Sequence, residues 1–141
     1  MIFKKDITQD ETLQAYADRQ LHVFAGAVTH YPTGHAMFLM AAMQPFQGGK
    51  EIVLSGKVSD PVLQSMIAAV QQVHIPGASI IVHWEGEEGE SLRSLLPHVA
   101  DKKAIQGRAT AYLCQHFACR KPIITLEALR ESLSNLKFLS Q

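Results

Sequence analysis

Cys114, His116 and Cys119 fall within the stretch AYLCQHFACRKP, residues 111–122, and are residue types that carry thiol redox chemistry or hold a soft metal. Four residues separate the two cysteines, more than the two of the CxxC spacing that lets a helix N-terminus lower a thiol pKa. A disulfide across that gap is sterically allowed if the chain turns back and brings the Cα atoms within about 7 Å. Three readings stand side by side. Cys114 is a small buried hydrophobe with a second thiol packed in the following turn, or the two form a redox or regulatory pair, or Cys114, His116 and Cys119 ligate zinc. A structural zinc site normally takes four ligands, and this chain has no second cysteine pair to complete one. Arg120 and Lys121, beside Cys119, suit either a stabilised thiolate or plain solvation.

A second candidate lies in LSGKVSD, where a strand gives way to a helix. Open parallel sheets bind ligands outside such strand ends, and Gly56, Lys57 and Ser59 would hold a small anion or sugar phosphate through backbone amides and one cation. The turn has a single glycine and lacks both GxGxxG and a P-loop. The acidic loop EGEEGE does not follow the ligand spacing of an EF-hand, so it reads as solvated. Among seven histidines there is no HExxH, and no GxSxG marks a nucleophilic serine. His30 and His35 flank a helical turn, where capping or surface packing is the simpler role. No resident cofactor is expected, and the chain by itself is not expected to be an enzyme.

The elements that would position these residues emerge from periodicity. Thr8 with Glu11 three residues later is a capping-box pattern, and Leu13, Tyr16, Ala17, Phe24, Ala27, Val28 and Tyr31 then recur at helical spacing up to Pro32. A second helix is expected from Gly34 to about Gln44, and because HAMFLMAAM is apolar almost all round, burial on most sides is expected with it. PFQGGK is a Pro/Gly-rich connector. Beyond it, EIVLSG predicts a strand, and SDPVLQSMIAAVQQV predicts a helix capped by Ser59 or Asp60 with Pro61 at its first position. SIIVHW predicts a second strand, parallel to the first through a right-handed crossover. Ser91 is placed to cap a short helix, RATAYLC predicts a third strand buried on both faces, and Thr125 caps a last helix with Leu126, Leu129, Leu133 and Leu136 inward. The fold class is therefore α/β: a short, mainly parallel three-stranded sheet with flanking helices, preceded by an α-helical hairpin. The boundary falls between residues 1–46 and 47–141.

At 141 residues the chain has the length of one domain and buries enough surface to need no disulfide framework. Lys plus Arg balance Asp plus Glu at 13 each, so no global charge draws it to nucleic acid or an anionic membrane. Its longest apolar run, Ala36 to Met43, is far below the ~18 residues of a membrane span. The start turns polar after three residues, unlike a signal peptide, so the expected compartment is the cytoplasm, where thiols are normally reduced.

The order of these pieces, and above all GRATAYLCQHFACRKPIITLEALRESL, resembles the C-terminal end of the spermatogenesis-associated protein 20 family of thioredoxin-domain-containing proteins. The resemblance runs from about residue 12 to about residue 136, and TAYLCQHFACRKPI is its most specific part. It implies a full-length architecture of a thioredoxin-like domain, an α/α toroid similar to six-hairpin glycosidases, and a small α/β segment. By that comparison residues up to about Gln44 look like the last hairpin of the toroid. Only Cys114 and Cys119 match a family motif residue by residue. The chain contains no thioredoxin-like CxxC, so neither redox nor sugar chemistry transfers with the likeness. The resemblance therefore implies a fragment of a larger architecture: a non-catalytic structural or interaction module that forms a homo-oligomer or docks onto the missing domains through faces such as Phe38, Leu39 and Met40. The alternatives are a thiol redox or sensing site at Cys114 and Cys119, and anion binding at the Gly56 turn.

Overall fold

The computed structural model describes residues 10–43, 49–115 and 118–138, with the side chains of 136–138 outside the description. The chain divides into two compact units at Gly49/Lys50.

The first unit is helical. Helix α1 (Glu11–His30) starts at Asp10, whose carboxylate accepts from the Thr12 and Leu13 amides at 2.8 and 3.3 Å and so satisfies two otherwise orphaned donors. Asp10 therefore takes the N-cap role expected of Thr8, which lies outside the described residues; Glu11 is the first helical residue. Pro32 opens a 3₁₀ turn (Pro32–His35) that leads into α2 (Ala36–Met43). His35 Nδ1 hydrogen-bonds the Tyr31 carbonyl at 2.8 Å, so it packs the turn. The expected burial of the second helix is not met. All eight residues of α2 are apolar and none is buried; Met37 and Met40 are 79% and 65% exposed. On α1, Tyr16, Val23 and Phe24 are exposed as well, and Phe24 stacks at a tilt on Phe38 with ring centroids 5.7 Å apart.

The second unit is a four-stranded sheet in the order β2-β1-β3-β4. Strand β1 (Lys50–Gly56) leads to helix α3 (Pro61–Gln71) and returns as β2 (Ala78–Trp84), parallel to β1 as a βαβ crossover requires. Asp60 caps α3 by accepting from the Val62 amide at 2.8 Å, with Pro61 at the first helical position, as its sequence signature predicts. Short α4 (Glu90–Leu95) is followed by β3 (Thr110–Gln115), the two-residue β4 (Ala118–Cys119) and α5 (Leu126–Phe138). Gly89, not Ser91, stands at the α4 N-cap, and Ser91 lies inside the helix. Thr125 Oγ1 accepts from Ala128 N at 3.4 Å ahead of α5.

The expectation of a mainly parallel three-stranded sheet is corrected here. One pair, β1/β2, is parallel, whereas β3 runs antiparallel to β1 and β4 antiparallel to β3. The reason lies in residues 85–109. Six-residue α4 rises only about 9 Å, and the stretch after it is brought back to the C-terminal end of β1 by two anchors: Ala104 N donates to Glu85 Oε1 at 3.1 Å, and the Lys102 carbonyl sits over Ser55 and His83. Thr110 then enters opposite Ser55, so the strand can only run down β1.

Because side chains alternate along strands, the register sorts them into two faces. Ile52 and Leu54 of β1 and Ala111 and Leu113 of β3 meet Leu63, Met66 and Val70 of α3 and Leu129 and Leu133 of α5 in the main core. Truncating a fully buried leucine such as Leu129 to alanine typically removes ~2–5 kcal/mol, so this face carries most of the unit's stability. The opposite face, with Glu51, Val53, Ser55, Ile81, His83, Thr110, Tyr112 and Cys114, mixes apolar and polar groups; residues 96–105 supply its hydrogen-bonding partners.

Candidate functional site

The β3–β4 hairpin brings the two cysteines into direct opposition. Cys114 pairs with Cys119 and Gln115 with Ala118, and the two sulfurs are joined in a disulfide. His116 and the next residue lie outside the described residues. Beyond Cys119 the edge stays attached: Arg120 N donates to the Leu113 carbonyl at 2.9 Å, and Ala111 and Ile123 exchange two backbone bonds of 2.7 and 2.9 Å. The reading of two separate reduced thiols is thus corrected to a bonded pair, because the strand register places the cysteines opposite each other rather than in strand and following turn. With both sulfurs covalently engaged, neither offers the thiolate that the Cys114, His116, Cys119 zinc reading requires.

Closing so short a loop restricts the unfolded chain by only about 2 kcal/mol. The hydrophobic core of the unit does not depend on it. What distinguishes the bond is its asymmetry: Cys114 is 7% exposed, whereas Cys119 is exposed. Beside it a small cavity is lined by Lys50, Glu51, Ile52, Cys114 and Arg120 among others; at about 20 Å³ it has room for a single water rather than an organic substrate.

Glu51 stands opposite Cys114 in the β1/β3 register, on the same face. Its Oε2 accepts from His98 Nε2 at 2.9 Å, its Oε1 lies 3.6 Å from Lys102 Nζ, and Lys102 Nζ donates to the His98 carbonyl at 2.8 Å. A carboxylate can only accept, so His98 carries a proton on Nε2. Its Nδ1 is buried and meets no partner among the described residues. Sequence reading missed this trio because 47 residues separate Glu51 from His98, and no local pattern records the pairing.

A second polar row crosses the sheet near the end of β1. Ser55, His83 and Thr110 are aligned in register and all but fully buried, and each is hydrogen-bonded. Ser55 Oγ and His83 Nδ1 both donate to the Lys102 carbonyl, at 2.5 and 2.9 Å, and Thr110 Oγ1 donates to the Arg108 carbonyl at 2.9 Å while accepting from Ile105 N at 3.0 Å. Tyr112 OH reaches the Lys103 carbonyl at 2.5 Å; burial first, and then the Glu85 charge, hold its phenol above the usual tyrosine range. These groups fasten the 96–105 segment to the sheet. None of them is left over for chemistry on a substrate.

Gly56, Lys57 and Ser59 lie at the other end of β1, five residues or about 17 Å from the Glu51/Cys114 pair. The two candidate sites are therefore separate. At the Gly56 turn the Asp60 carboxylate already occupies the Val62 amide, the donor an anion would use, and the Gly56 carbonyl accepts from Glu85 N at 2.9 Å. A bound anion there would face a fixed negative charge.

No protein-family model and no solved structure matches the chain. It is similar to spermatogenesis-associated protein 20 of Homo sapiens, at 26% identity over 113 residues, and of Rattus norvegicus, at 25% over the same length. In each case the match covers 80% of this chain but only 14% of the relative, so the chain spans a small part of their length.

Proposed function

From a distant relationship to spermatogenesis-associated protein 20, we propose that this chain is a non-catalytic interaction module whose helical unit packs against further helices of a longer polypeptide. The observation that carries this reading is α2 itself. Eight consecutive apolar residues form a helix with no buried member, next to an aromatic pair on exposed α1. An apolar helix surface of that kind is stable in water only when covered. Further helices are the chemically matched cover, and the likeness to the closing hairpin of a toroid supports them as the occupant. The α/β unit has its own core and hydrogen-bonded polar layer, so it is a separate folded part of the chain.

Sedimentation velocity on the isolated chain tests this. Without its helical neighbours the exposed face should drive concentration-dependent self-association, and Met37→Glu with Met40→Glu should return the protein to a monomer while the far-UV spectrum of the sheet persists. A monomeric wild-type chain whose α2 amides are nonetheless strongly protected from hydrogen exchange would overturn the reading.

A further inference from the structure

The asymmetry of the disulfide carries an inference independent of how the helical unit docks. We propose that the Cys114–Cys119 bond is a thiol–disulfide exchange site for anionic low-molecular-weight thiols, with Cys119 the sulfur that is attacked and Cys114 the sulfur that leaves and returns.

Two observations support the direction of attack, and a third the return step. Cys119 is exposed and Cys114 nearly buried, which favours approach of an incoming thiolate from the Cys119 side. Exposed Arg120 and Lys121 come directly after Cys119, giving that sulfur a positive approach for an anionic nucleophile. Cys114 has the Glu51 carboxylate as its cross-strand neighbour, about 5 Å away at Cβ. A sulfur released there has little access to water, so it leaves slowly and returns readily to the neighbouring Cys119 sulfur.

The thiolate RS⁻ attacks Cys119 Sγ, a mixed RS–S bond forms, the Cys114–Cys119 bond breaks, and its electron pair stays on Cys114 Sγ. Cys114 thiolate can then attack Cys119 Sγ and expel RS⁻, restoring the ring. Alternatively a second RS⁻ attacks the small-molecule sulfur, releasing RSSR and leaving two protein thiols, so two external thiols are oxidised for one protein disulfide reduced. Throughout, Cys119 is held next to β3 by the Arg120–Leu113 and Ala111–Ile123 backbone bonds, which do not involve the sulfurs. The return step is thereby intramolecular at high effective concentration.

The test exposes the folded wild-type protein to reduced glutathione or to 2-mercaptoethanol, whose thiolate is its only charge, quenches with acid, alkylates and maps the peptides by mass. The expected result is adduct at Cys119 in at least about tenfold excess over Cys114, with alkylation of Cys114 in the same molecules. The glutathione rate should fall severalfold in high salt and in Arg120→Ala/Lys121→Ala, with the 2-mercaptoethanol rate changing much less. Should the ring reclose too fast to trap the adduct, Cys114→Ser and Cys114→Ala, checked for folding by circular dichroism, should take up glutathione from its disulfide at Cys119. Equal labelling of the two cysteines, preferential labelling of Cys114, or two freely alkylated thiols in the unreduced native protein would each overturn the proposal. Self-association of the helical unit is not read by this experiment, so the two proposals fail separately.

Discussion

Ser55 on β1 and His83 on β2, cross-strand neighbours in register, donate to one acceptor, the carbonyl oxygen of Lys102. Both side chains are almost wholly buried, and together they pin the returning segment onto the sheet. Removing either leaves the carbonyl one donor, whereas removing both leaves a buried acceptor without any side-chain partner. Ser55→Ala and His83→Ala should each destabilise by ~1–3 kcal/mol, and the double variant should lose more than the sum. Urea unfolding of the four proteins measures this, and strict additivity would show that the shared carbonyl does not couple them.

Gly89 approaches the Trp84 carbonyl so closely that a Cβ would lie inside van der Waals contact with backbone oxygen, with Arg93 Nη1 on its other side. Neither neighbour is free to give way, since Arg93 Nη2 is bonded to the Gly86 carbonyl at 2.7 Å and to Glu90 at 2.7 Å. Gly89→Ala should lower stability by about 2 kcal/mol or more through displacement of the β2–α4 corner. A thermal melt within about 1 °C of wild type would contradict it, since a loss of that size shifts the midpoint of such a domain by several degrees.

Gln106 and Gly107 both have positive φ, 53° and 70°, in the two-residue turn that joins the Ile105–Arg108 bridge. Such a turn suits Asn-Gly, and glutamine is a poor occupant of its first position. Gln106→Asn should therefore stabilise by roughly 0.5 kcal/mol without altering the fold. Chemical denaturation should show a higher midpoint with an unchanged slope.

Tyr112 gives the alkaline limb of the stability profile a defined contributor. Its folded pKa is raised, by burial first and then by Glu85, so the neutral phenol is favoured in the folded state. The contribution is fully present below the unfolded tyrosine value of about 10 and is lost as pH rises through the higher folded value. Wild type should lose stability more steeply above that point than Tyr112→Phe, which at neutral pH should be weaker by ~1 kcal/mol for the missing bond to Lys103. Parallel denaturation at about pH 7 and pH 11 distinguishes the two, and identical pH slopes would remove Tyr112 from the account.

Local chemistry was enough to read several elements. The Asp60–Pro61 start of α3, the stop of α1 before Pro32, the Thr125 entry to α5 and the parallel βαβ pair all rest on residues within a few positions of one another. The cysteine spacing was equally legible as a question. Its answer was not, because a bond between Cys114 and Cys119 depends on β4 pairing with β3 in one particular register.

Sequence by itself determined the longer helices and strands β1, β2 and β3, the inward Leu129 and Leu133 of α5, and the two residues worth asking about, since caps, periodicity and proline act within one or two turns of chain. Tertiary structure decided the reversed direction of β3, the Glu51–His98–Lys102 and Ser55–His83–Lys102 junctions, and which cysteine faces solvent. The two junctions and the β1/β3 pairing arise where segments 19 to 65 residues apart meet, and hydrogen bonds across such distances are chosen by which buried donors must be satisfied, a condition no local window contains.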